Sequence, residues 1–386
     1  DEAAEGHAVD QAEHPAVALE QAGDVLAQRR VPDHARDLHA REAKRREQRH
    51  DRHRSELAEQ CLEPRFPAVR QSRPPDDLRD DRAVADPDVM AYIGTYNSGA
   101  AKIAMPKLNQ AGLVMVSPAN TWPGLTKSGI GEPNEPKVYR PSGKVTYFRV
   151  CPTDDMQGDV AARWGIELGA KKAFIVHDGE LYGKGIATIF KRTAPSVGLA
   201  ITGFEQIDFK ASNYRSLAIK IKQTASDLVF FGGITQTNAG QFAKDLRAVG
   251  VKAKLMVPDG CYENAFIEAA GKENLEGNTY ITFGGVPPNK LEGKGHEFYE
   301  NYIKKFGGEP EGYAVYTYES AKVVLAAIER AGKKDRAAIL AEVAKTKDFS
   351  GALGTWSFDE NGDTSLKVMS GNTVKNGQFE FEKLLH

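Results

Sequence analysis

Long apolar runs are missing from this chain of 386 residues: no stretch reaches the roughly 18 apolar residues that a membrane-spanning helix needs. Cysteine is scarce, and Cys61, Cys151 and Cys261 show no C-x-x-C spacing, which argues against a structural zinc site or a disulfide framework. The net charge is only -2 and no basic patch dominates, so nucleic acid is not an expected partner. The length allows two or three domains.

Groups for catalysis are also few. The stretch "GELYGKG", residues 179–185, has three residues where a P-loop needs four, and no G-x-S-x-G elbow occurs. Of nine His, only His177, His296 and His386 follow residue 88. His177 ends a buried strand, where we expect a hydrogen-bonded structural residue. An enzyme is therefore not expected, and an enzyme that uses His177 is the least favoured alternative.

The composition changes near residue 88. Residues 1–88 contain 14 Arg and 1 Lys, whereas the rest contains 8 Arg and 28 Lys. The same segment has no Ile, Tyr, Trp, Met, Asn or Thr, yet it holds six of the nine His, at spacings that match no metal-ligand motif. Such a segment buries too little apolar surface to fold, so we expect it to be disordered or irregularly helical. Its composition resembles GC-rich DNA read in a wrong frame, and we hypothesise that it is not native to the fold.

Residues 89–386 alternate strand and helix patterns. Short apolar runs predict strands at Val89–Gly94, Leu113–Ser117, Lys172–His177, Ala200–Gln206, Asp227–Gly232, Lys254–Pro258 and Gly277–Phe283. Helical periodicity predicts helices at about 100–111, 155–168, 183–196, 212–225, 236–250, 262–270, 291–306, 313–331 and 335–345. This order is typical of βαβ units around a parallel sheet. The C-terminal part predicts alternating strands with Asn-Gly turns, and "DENGD" predicts a turn, not a calcium loop.

Polar side chains suited to binding follow the carboxyl ends of these strands, where open α/β sheets bind ligands. They are Asn97-Ser98, Ser117–Thr121, Asp178 with Tyr182, Gly233–Thr235 and Asp259. Ser98 stands at an expected helix N-cap, where its hydroxyl, free N–H groups and the helix dipole favour an anion. Thr121 can act likewise, whereas Asp259 suits an ammonium group. Together they indicate an amino acid, although each residue also fits a plain role in a cap or turn.

Several stretches carry a family resemblance in the expected order. They are "YIGTYNSGAAKIAMPKLNQAGLVMVSPANTWPGLT", "YFRVCPTDDMQGDVAARW", "AFIVHDGELYGKGIA", "DLVFFGGITQTNAGQFAKDLRAVGVKAKLMVPDG" and "EGYAVYTYESAKVVLAAIERAG". Over residues 89–386 the chain resembles the periplasmic binding proteins that supply branched-chain amino acids to ABC importers. That family normally places the first strand, first helix and second strand of its first lobe where residues 1–88 stand, and nothing in this segment resembles them.

The resemblance implies the fold and its division into lobes. We expect a type I solute-binding fold, an α/β architecture of two doubly wound, Rossmann-like lobes joined by three hinge crossovers. The crossovers would lie near Arg149, Thr282 and Thr355. Lobe 1 would then consist of residues 89–149 and 283–355, and lobe 2 of residues 150–282 and 356–386.

The resemblance also implies roles for single residues. The expected ligand-binding residues are Asn97, Ser98, Ala119, Asn120, Thr121, Tyr182, Thr235, Asp259 and Tyr313. Ser98 and Thr121, with the backbone at Ala119, would hold an α-carboxylate, and Asp259, where the family often has Glu, would hold an α-ammonium. Two tyrosines and Thr235 would form the walls. Thr235 replaces an aromatic residue that is common there, and Trp122 is an unusually bulky neighbour.

The function that the resemblance implies is transport. Closure of the lobes would trap a small amino acid without covalent chemistry, cofactor or metal, and an ABC permease in the membrane would receive it. We expect a monomer in a periplasmic or extracellular location, with lipid anchoring left open. The competing function is a ligand-sensing regulatory receptor on the same fold that binds an amide or an aromatic acid.

Overall fold

The computed structural model describes residues 77–386, which alternate strands and helices. The helices are α1 Asp77–Ala85, α2 Ser98–Gln110, α3 Asp154–Glu167, α4 Leu181–Thr193, α5 Arg215–Gln223, α6 Ala239–Ala248, α7 Asn264–Ala270, α8 Lys272–Leu275, α9 Lys294–Phe306, α10 Ala314–Ala331 and α11 Arg336–Ala344. The strands are β1 Ala91–Ile93, β2 Val114–Ser117, β3 Tyr147–Arg149, β4 Lys172–His177, β5 Ala200–Gln206, β6 Leu228–Gly232, β7 Lys254–Val257, β8 Thr279–Gly284, β9 Phe349–Gly351, β10 Gly354–Trp356, β11 Met369–Lys375 and β12 Gln378–Leu385. None of these helices has both the length and the apolar character needed to cross a membrane.

The α/β architecture predicted from the sequence is confirmed. Strands β4 and β5 have the predicted bounds, because each is an apolar run that ends in polar residues. Strand β3 was not predicted. It has only three residues, and the charged Arg149 at its end is as deeply buried as its aromatic neighbours.

The strands form two main sheets. The smaller sheet has the order β1-β2-β3, and all three strands are parallel. The larger sheet has the order β12-β11-β8-β7-β6-β4-β5, with β4 to β8 parallel and β11 antiparallel to both of its neighbours. Strand β6 is buried at every residue, as expected of a parallel strand covered on both faces. Strands β9 and β10 form a separate antiparallel pair.

The chain passes between the two main sheets three times. It leaves the smaller sheet after β3 and leaves the larger sheet after β8. Helices α10 and α11 then contact β1 and β2, before the chain returns to the larger sheet at β11. The predicted lobe boundaries, 89–149 with 283–355 and 150–282 with 356–386, stay a prediction.

Helix α1 lies within the segment that the sequence analysis separated from the fold. Its Ala83 and Val84 pack against the apolar cluster around α2. The guanidinium of Arg336 on α11 donates hydrogen bonds to the carbonyls of Ala83, Val84, Asp86 and Val89. Packing and hydrogen bonds therefore connect the last residues of that segment to the rest of the fold. The predictions made for residues 1–76 lie outside the described residues.

The C-terminal turns agree with the sequence prediction. Asn376 and Gly377 connect β11 to β12, and both have positive φ angles, 54° and 74°, as a tight two-residue hairpin turn requires. In "DENGD" the carboxylate of Asp359 accepts hydrogen bonds from the N–H groups of Asn361 and Asp363 at 2.9 and 2.8 Å. These residues thus form a turn closed by the side chain at its start.

Candidate functional site

Asp259 joins three of the predicted residues. It follows β7 at the carboxyl edge of the larger sheet, and its side chain is buried. The hydroxyl of Tyr182, in the first turn of α4, donates a hydrogen bond of 2.6 Å to its carboxylate. The hydroxyl of Tyr313, immediately before α10, donates to the other carboxylate oxygen. The carboxylate is thus fixed by phenols from two separate segments of the chain.

A second carboxylate, missed by the sequence analysis, lies in the same electrostatic environment. Asp154 is the first residue of α3 and is fully buried, and neither of its carboxylate oxygens has a hydrogen-bond partner within residues 77–386. In the sequence Asp154 belongs to "TDD", a pattern that is also typical of an ordinary helix N-terminus. Its lack of a partner is visible only in three dimensions.

The negative charge of Asp259 adds to the cost of ionising Asp154. Burial raises the pKa of Asp154 well above its usual range, and the negative charge of Asp259 adds to the shift. Burial also raises the pKa of Asp259, although the phenol hydroxyls of Tyr182 and Tyr313 act in the opposite direction. A pair of this kind is suited to a ligand cation, because a positive charge would relieve the desolvation of both groups.

Ser98 and Thr121 lie in the segments that follow β1 and β2. Helix α2 begins at Ser98 with Asn97 at the N-cap, so Ser98 lies one residue further into the helix than predicted. The main-chain N–H of Trp122 donates to the Ser98 hydroxyl at 3.3 Å, which holds the loop after β2 against the start of α2. Thr121 is buried, and its hydroxyl makes no hydrogen bond of good geometry within the described residues, although it lies beside the Asp154 carboxylate and lowers the pKa of that group. A buried hydroxyl of this kind is available to a ligand.

Asn120 and Ala119 bond mainly within the loop itself. The side-chain amide of Asn120 donates to the carbonyl of Tyr96 at 2.8 Å, and its oxygen accepts from the hydroxyl of Tyr147 at 3.2 Å. The N–H of Ala119 donates to the Ser117 hydroxyl at 3.2 Å. These contacts order the loop, and a direct role for either residue in binding stays a prediction.

The remaining predicted residues lie around the same edge. Asn97 is exposed and makes no side-chain cap bond. Thr235, after β6, is half-buried with a hydroxyl that has no partner within the described residues, and the adjacent Ile234 packs against Gly260, next to Asp259. Tyr96 contacts Tyr313 edge to face with ring centroids 5.4 Å apart.

Trp122 links the two sides of the site. A methyl group on Gly185 of α4 would lie 2.5 Å from the indole ring, so the ring lies directly against this helix. The indole N–H donates to Glu135 at 3.0 Å, which fixes the ring orientation. The loop after β2 thus contacts α4 close to Tyr182.

His177, the residue of the enzyme alternative, and Asp178, one of the polar residues at the strand ends, both accept hydrogen bonds from nearby residues. The Nδ1 of His177 accepts a hydrogen bond from the N–H of Gly179 at 3.1 Å, and burial lowers its pKa. Asp178 accepts from the Thr237 hydroxyl and the Glu180 N–H, both at 2.9 Å, and burial raises its pKa to about 6. Within residues 77–386, no cluster of three or more His, Cys, Asp or Glu could hold a metal ion.

A groove of about 780 Å³ lies elsewhere, between α9, α10 and β9. Aromatic side chains, among them Phe298, Tyr302 and Tyr318, form much of its lining. None of the predicted site residues lines it. The groove is therefore separate from the site around Asp259.

Comparison with known proteins gives one family match. The model of the periplasmic binding protein family matches residues 81–377. An amino acid binding protein of Pseudomonas aeruginosa is 30% identical over 292 residues, which are 75% of this chain and 72% of that protein. The match begins inside α1, in agreement with the packing of that helix on the fold.

Two solved structures are similar to the chain in fold and sequence. A leucine binding protein from Thermotoga maritima aligns with a TM-score of 0.72 at 27% identity and covers 81% of this chain and 84% of its own. A branched-chain amino acid transporter substrate binding protein from Streptococcus pneumoniae, in complex with isoleucine, aligns with a TM-score of 0.70 at 26% identity. That alignment covers 81% of this chain and 83% of the other.

Proposed function

The chain belongs to the periplasmic binding protein family, and from this premise we propose that it captures a small amino acid of the branched-chain type for an ABC importer. Proteins of this family bind solutes and are not enzymes, so no catalytic step is assigned. The observation that supports an amino acid most directly is Asp259, a buried carboxylate that is held by two phenols and whose negative charge acts on the nearby Asp154.

The ligand ammonium would bind Asp259, with Asp154 close enough to add to the attraction. Charge-assisted hydrogen bonds to a buried carboxylate are short and strong, and the phenols already hold Asp259 in one orientation. The site is therefore preorganised for a cation, which lowers the entropy cost of binding.

The ligand carboxylate would bind at Ser98 and Thr121. The Thr121 hydroxyl makes no hydrogen bond of good geometry within the described residues, and the Ser98 hydroxyl lies at the start of α2 with the positive end of the helix dipole. We assign Ala119, Asn97 and Asn120 to the surrounding loop, and Tyr182, Tyr313 and Thr235 to the walls. An apolar ligand side chain would pack against the tyrosine rings.

Binding would close the two lobes by hinge motion at the three connections between the sheets. The closed form would be recognised by a permease in the membrane. Family membership implies a location outside the cytoplasm, and we propose a periplasmic or extracellular protein that acts as a monomer.

Asp259→Asn tests this function. The substitution keeps the volume of the side chain but removes its charge, so a ligand ammonium would lose its partner. We expect leucine binding, measured by isothermal titration calorimetry, to weaken by about 2–5 kcal/mol. The matched control is Asp245→Asn, because Asp245 is also buried but accepts a hydrogen bond from the N–H of Tyr214 at 2.7 Å, away from the site. Unchanged leucine affinity in the Asp259 variant would contradict the proposal.

A further inference from the structure

Arg149 is a fully buried cation whose contacts converge on the loop after β2. Its Nε donates to the carboxylate of Asp363 at 2.6 Å. One terminal nitrogen, Nη1, donates to the carbonyls of Asn120 and Trp122 at 2.9 and 2.8 Å. The other, Nη2, donates to the hydroxyl of Thr126. One planar group therefore fixes several points of the same loop.

The two carbonyls held by Arg149 belong to the residues on either side of Thr121. The carbonyl of Thr121 itself accepts a hydrogen bond from the N–H of Asp154 at 2.9 Å. Three successive carbonyls of the main chain are thus fixed, which leaves little freedom for the Thr121 backbone. The direction of its buried hydroxyl follows from the backbone, because a threonine side chain has few rotamers.

Asp363 holds Arg149 from a distant part of the chain. It lies between β10 and β11, in the third connection between the sheets, whereas Arg149 ends β3 at the first connection. The N–H of Arg149 also donates to the carbonyl of Gly362 at 3.0 Å, and the Thr126 hydroxyl donates to Asp363 at 3.0 Å. The first and third connections between the sheets and the loop after β2 thus share one network of hydrogen bonds.

We propose that Arg149 is a positioning residue that aims the Thr121 hydroxyl at the carboxylate of the ligand. The inference rests on the proposed amino-acid site and extends it to a residue that does not contact the ligand. Lysine could not replace Arg149 in this role, because an ammonium is a compact charge without the planar, multiply donating geometry of a guanidinium.

The ion pair with Asp363 stabilises the positive charge of Arg149 in its buried position. Burial opposes the charge of Arg149, but Asp363 together with Tyr147 and Cys151 more than compensates, so the pKa of the guanidinium lies above its ordinary value. A buried cation with all three nitrogens bonded is costly to rearrange, because breaking one contact leaves a donor unpaired. The loop geometry is therefore set before the ligand arrives.

Arg149→Lys tests the inference through ligand discrimination. Leucine and leucinamide share an ammonium and a side chain, but only leucine has a carboxylate. We expect the dissociation constant of leucine, measured by calorimetry, to rise at least about tenfold in the variant, while that of leucinamide changes less than about threefold. The wild-type preference for leucine would then shrink accordingly.

Arg247→Lys is the matched control. Arg247 also donates to main-chain carbonyls, those of Val251, Ala253 and Asn274 at 2.9–3.1 Å, but it lies on α6 away from Thr121. Its replacement should leave the ratio of the two dissociation constants unchanged. Thr126→Val provides a second variant that keeps the ion pair and removes one acceptor of Arg149. We expect it to weaken leucine binding selectively, to a smaller degree.

The outcomes separate the inference from the function on which it rests. A wild-type protein that binds neither leucine nor leucinamide contradicts the proposed function. If the wild type binds leucine but Arg149→Lys weakens both ligands equally, Arg149 is a structural residue and the inference is wrong. Should that variant fail to fold, unchanged discrimination in Thr126→Val would overturn the inference in the same way.

Discussion

Asp154 and Asp259 both lower the stability of the free protein and both favour the binding of a cation. Each is a buried acid whose pKa is raised first by burial, and the nearby Thr121 hydroxyl only partly offsets this for Asp154. Such groups destabilise the free protein at neutral pH while they improve the site for a cation. Functional sites commonly show this conflict between stability and activity.

Asp154→Asn should separate the two effects. The amide cannot ionise, so it removes the cost of burying an ionisable carboxyl group, and we expect the free protein to gain about 0.5–2 kcal/mol of stability at pH 7. Leucine affinity should fall, because the ligand ammonium loses part of its attraction. Denaturant unfolding and calorimetry measure the two quantities. A variant that is less stable and binds leucine as tightly would contradict this account of Asp154.

The pH dependence of stability follows from the same carboxylates. A folded state with raised Asp pKa values binds protons that the unfolded state has lost, so its stability falls as pH rises above the ordinary value of 3.8. Asp178 contributes to this loss of stability between pH 3.8 and about pH 6, and Asp154 contributes over a pH range that also begins at 3.8. We expect the decline, followed by denaturant unfolding at stepwise pH, to be shallower in Asp154→Asn. An identical slope would exclude Asp154 as a source.

The sequence revealed these residues unequally. Asp259 could be predicted, because it follows a strongly apolar strand at the edge where ligands bind. Asp154 could not, since an acid in the first turn of a helix is normally a solvated partner of the helix dipole. The role inferred for Arg149 was also hidden, because its partners Asn120 and Asp363 are 29 and 214 residues away in the chain.

Helix α4 meets the loop after β2 at a position where only glycine fits. In the interior of a helix, Gly→Ala usually adds about 1 kcal/mol of stability. At Gly185 the added methyl would lie 2.5 Å from the indole of Trp122. The ring cannot turn away without losing its hydrogen bond to Glu135. The absence of a side chain at Gly185 therefore lets α4 and the loop after β2 approach each other closely.

Gly185→Ala should weaken closure without touching the ligand. We expect leucine affinity to fall by about 1–3 kcal/mol, because the methyl overpacks the contact between α4 and the loop. Lys184→Ala, on the exposed face of the same helix, is the control and should bind normally. Small-angle scattering with saturating leucine should give a larger radius of gyration for the glycine variant. Wild-type affinity and radius would show that the contact has no part in binding.

The longer elements could be predicted well and the short ones poorly. Strand β4 and helix α10 have long periodic patterns that tolerate a misplaced residue. Strand β3 has three residues, too few to establish a period, and it forms because β2 pairs with it. Helix α1 has a polar sequence, and its Ala83 and Val84 pack on the cluster around α2, a contact that no local pattern indicates.

At the scale of the whole molecule, two sheets joined by three connections place the site. Asp259 follows a strand of the larger sheet, whereas Ser98 and Thr121 follow strands of the smaller one, and Asp154 begins α3 at the first connection between the sheets. A zwitterion offers one charged group to each side. Its binding would thus favour the closed arrangement of lobes by bonding to both at once.

The most direct test is thermal unfolding of the full chain with a panel of amino acids, amides and aromatic acids. A ligand present at roughly 100 times its dissociation constant adds about 2.7 kcal/mol of stability. We predict one cooperative transition that leucine-like amino acids raise and that aromatic acids, and amides without an ammonium group, leave unchanged. A transition that no amino acid raises, or that an amide or aromatic acid alone raises, would contradict the proposed amino-acid site.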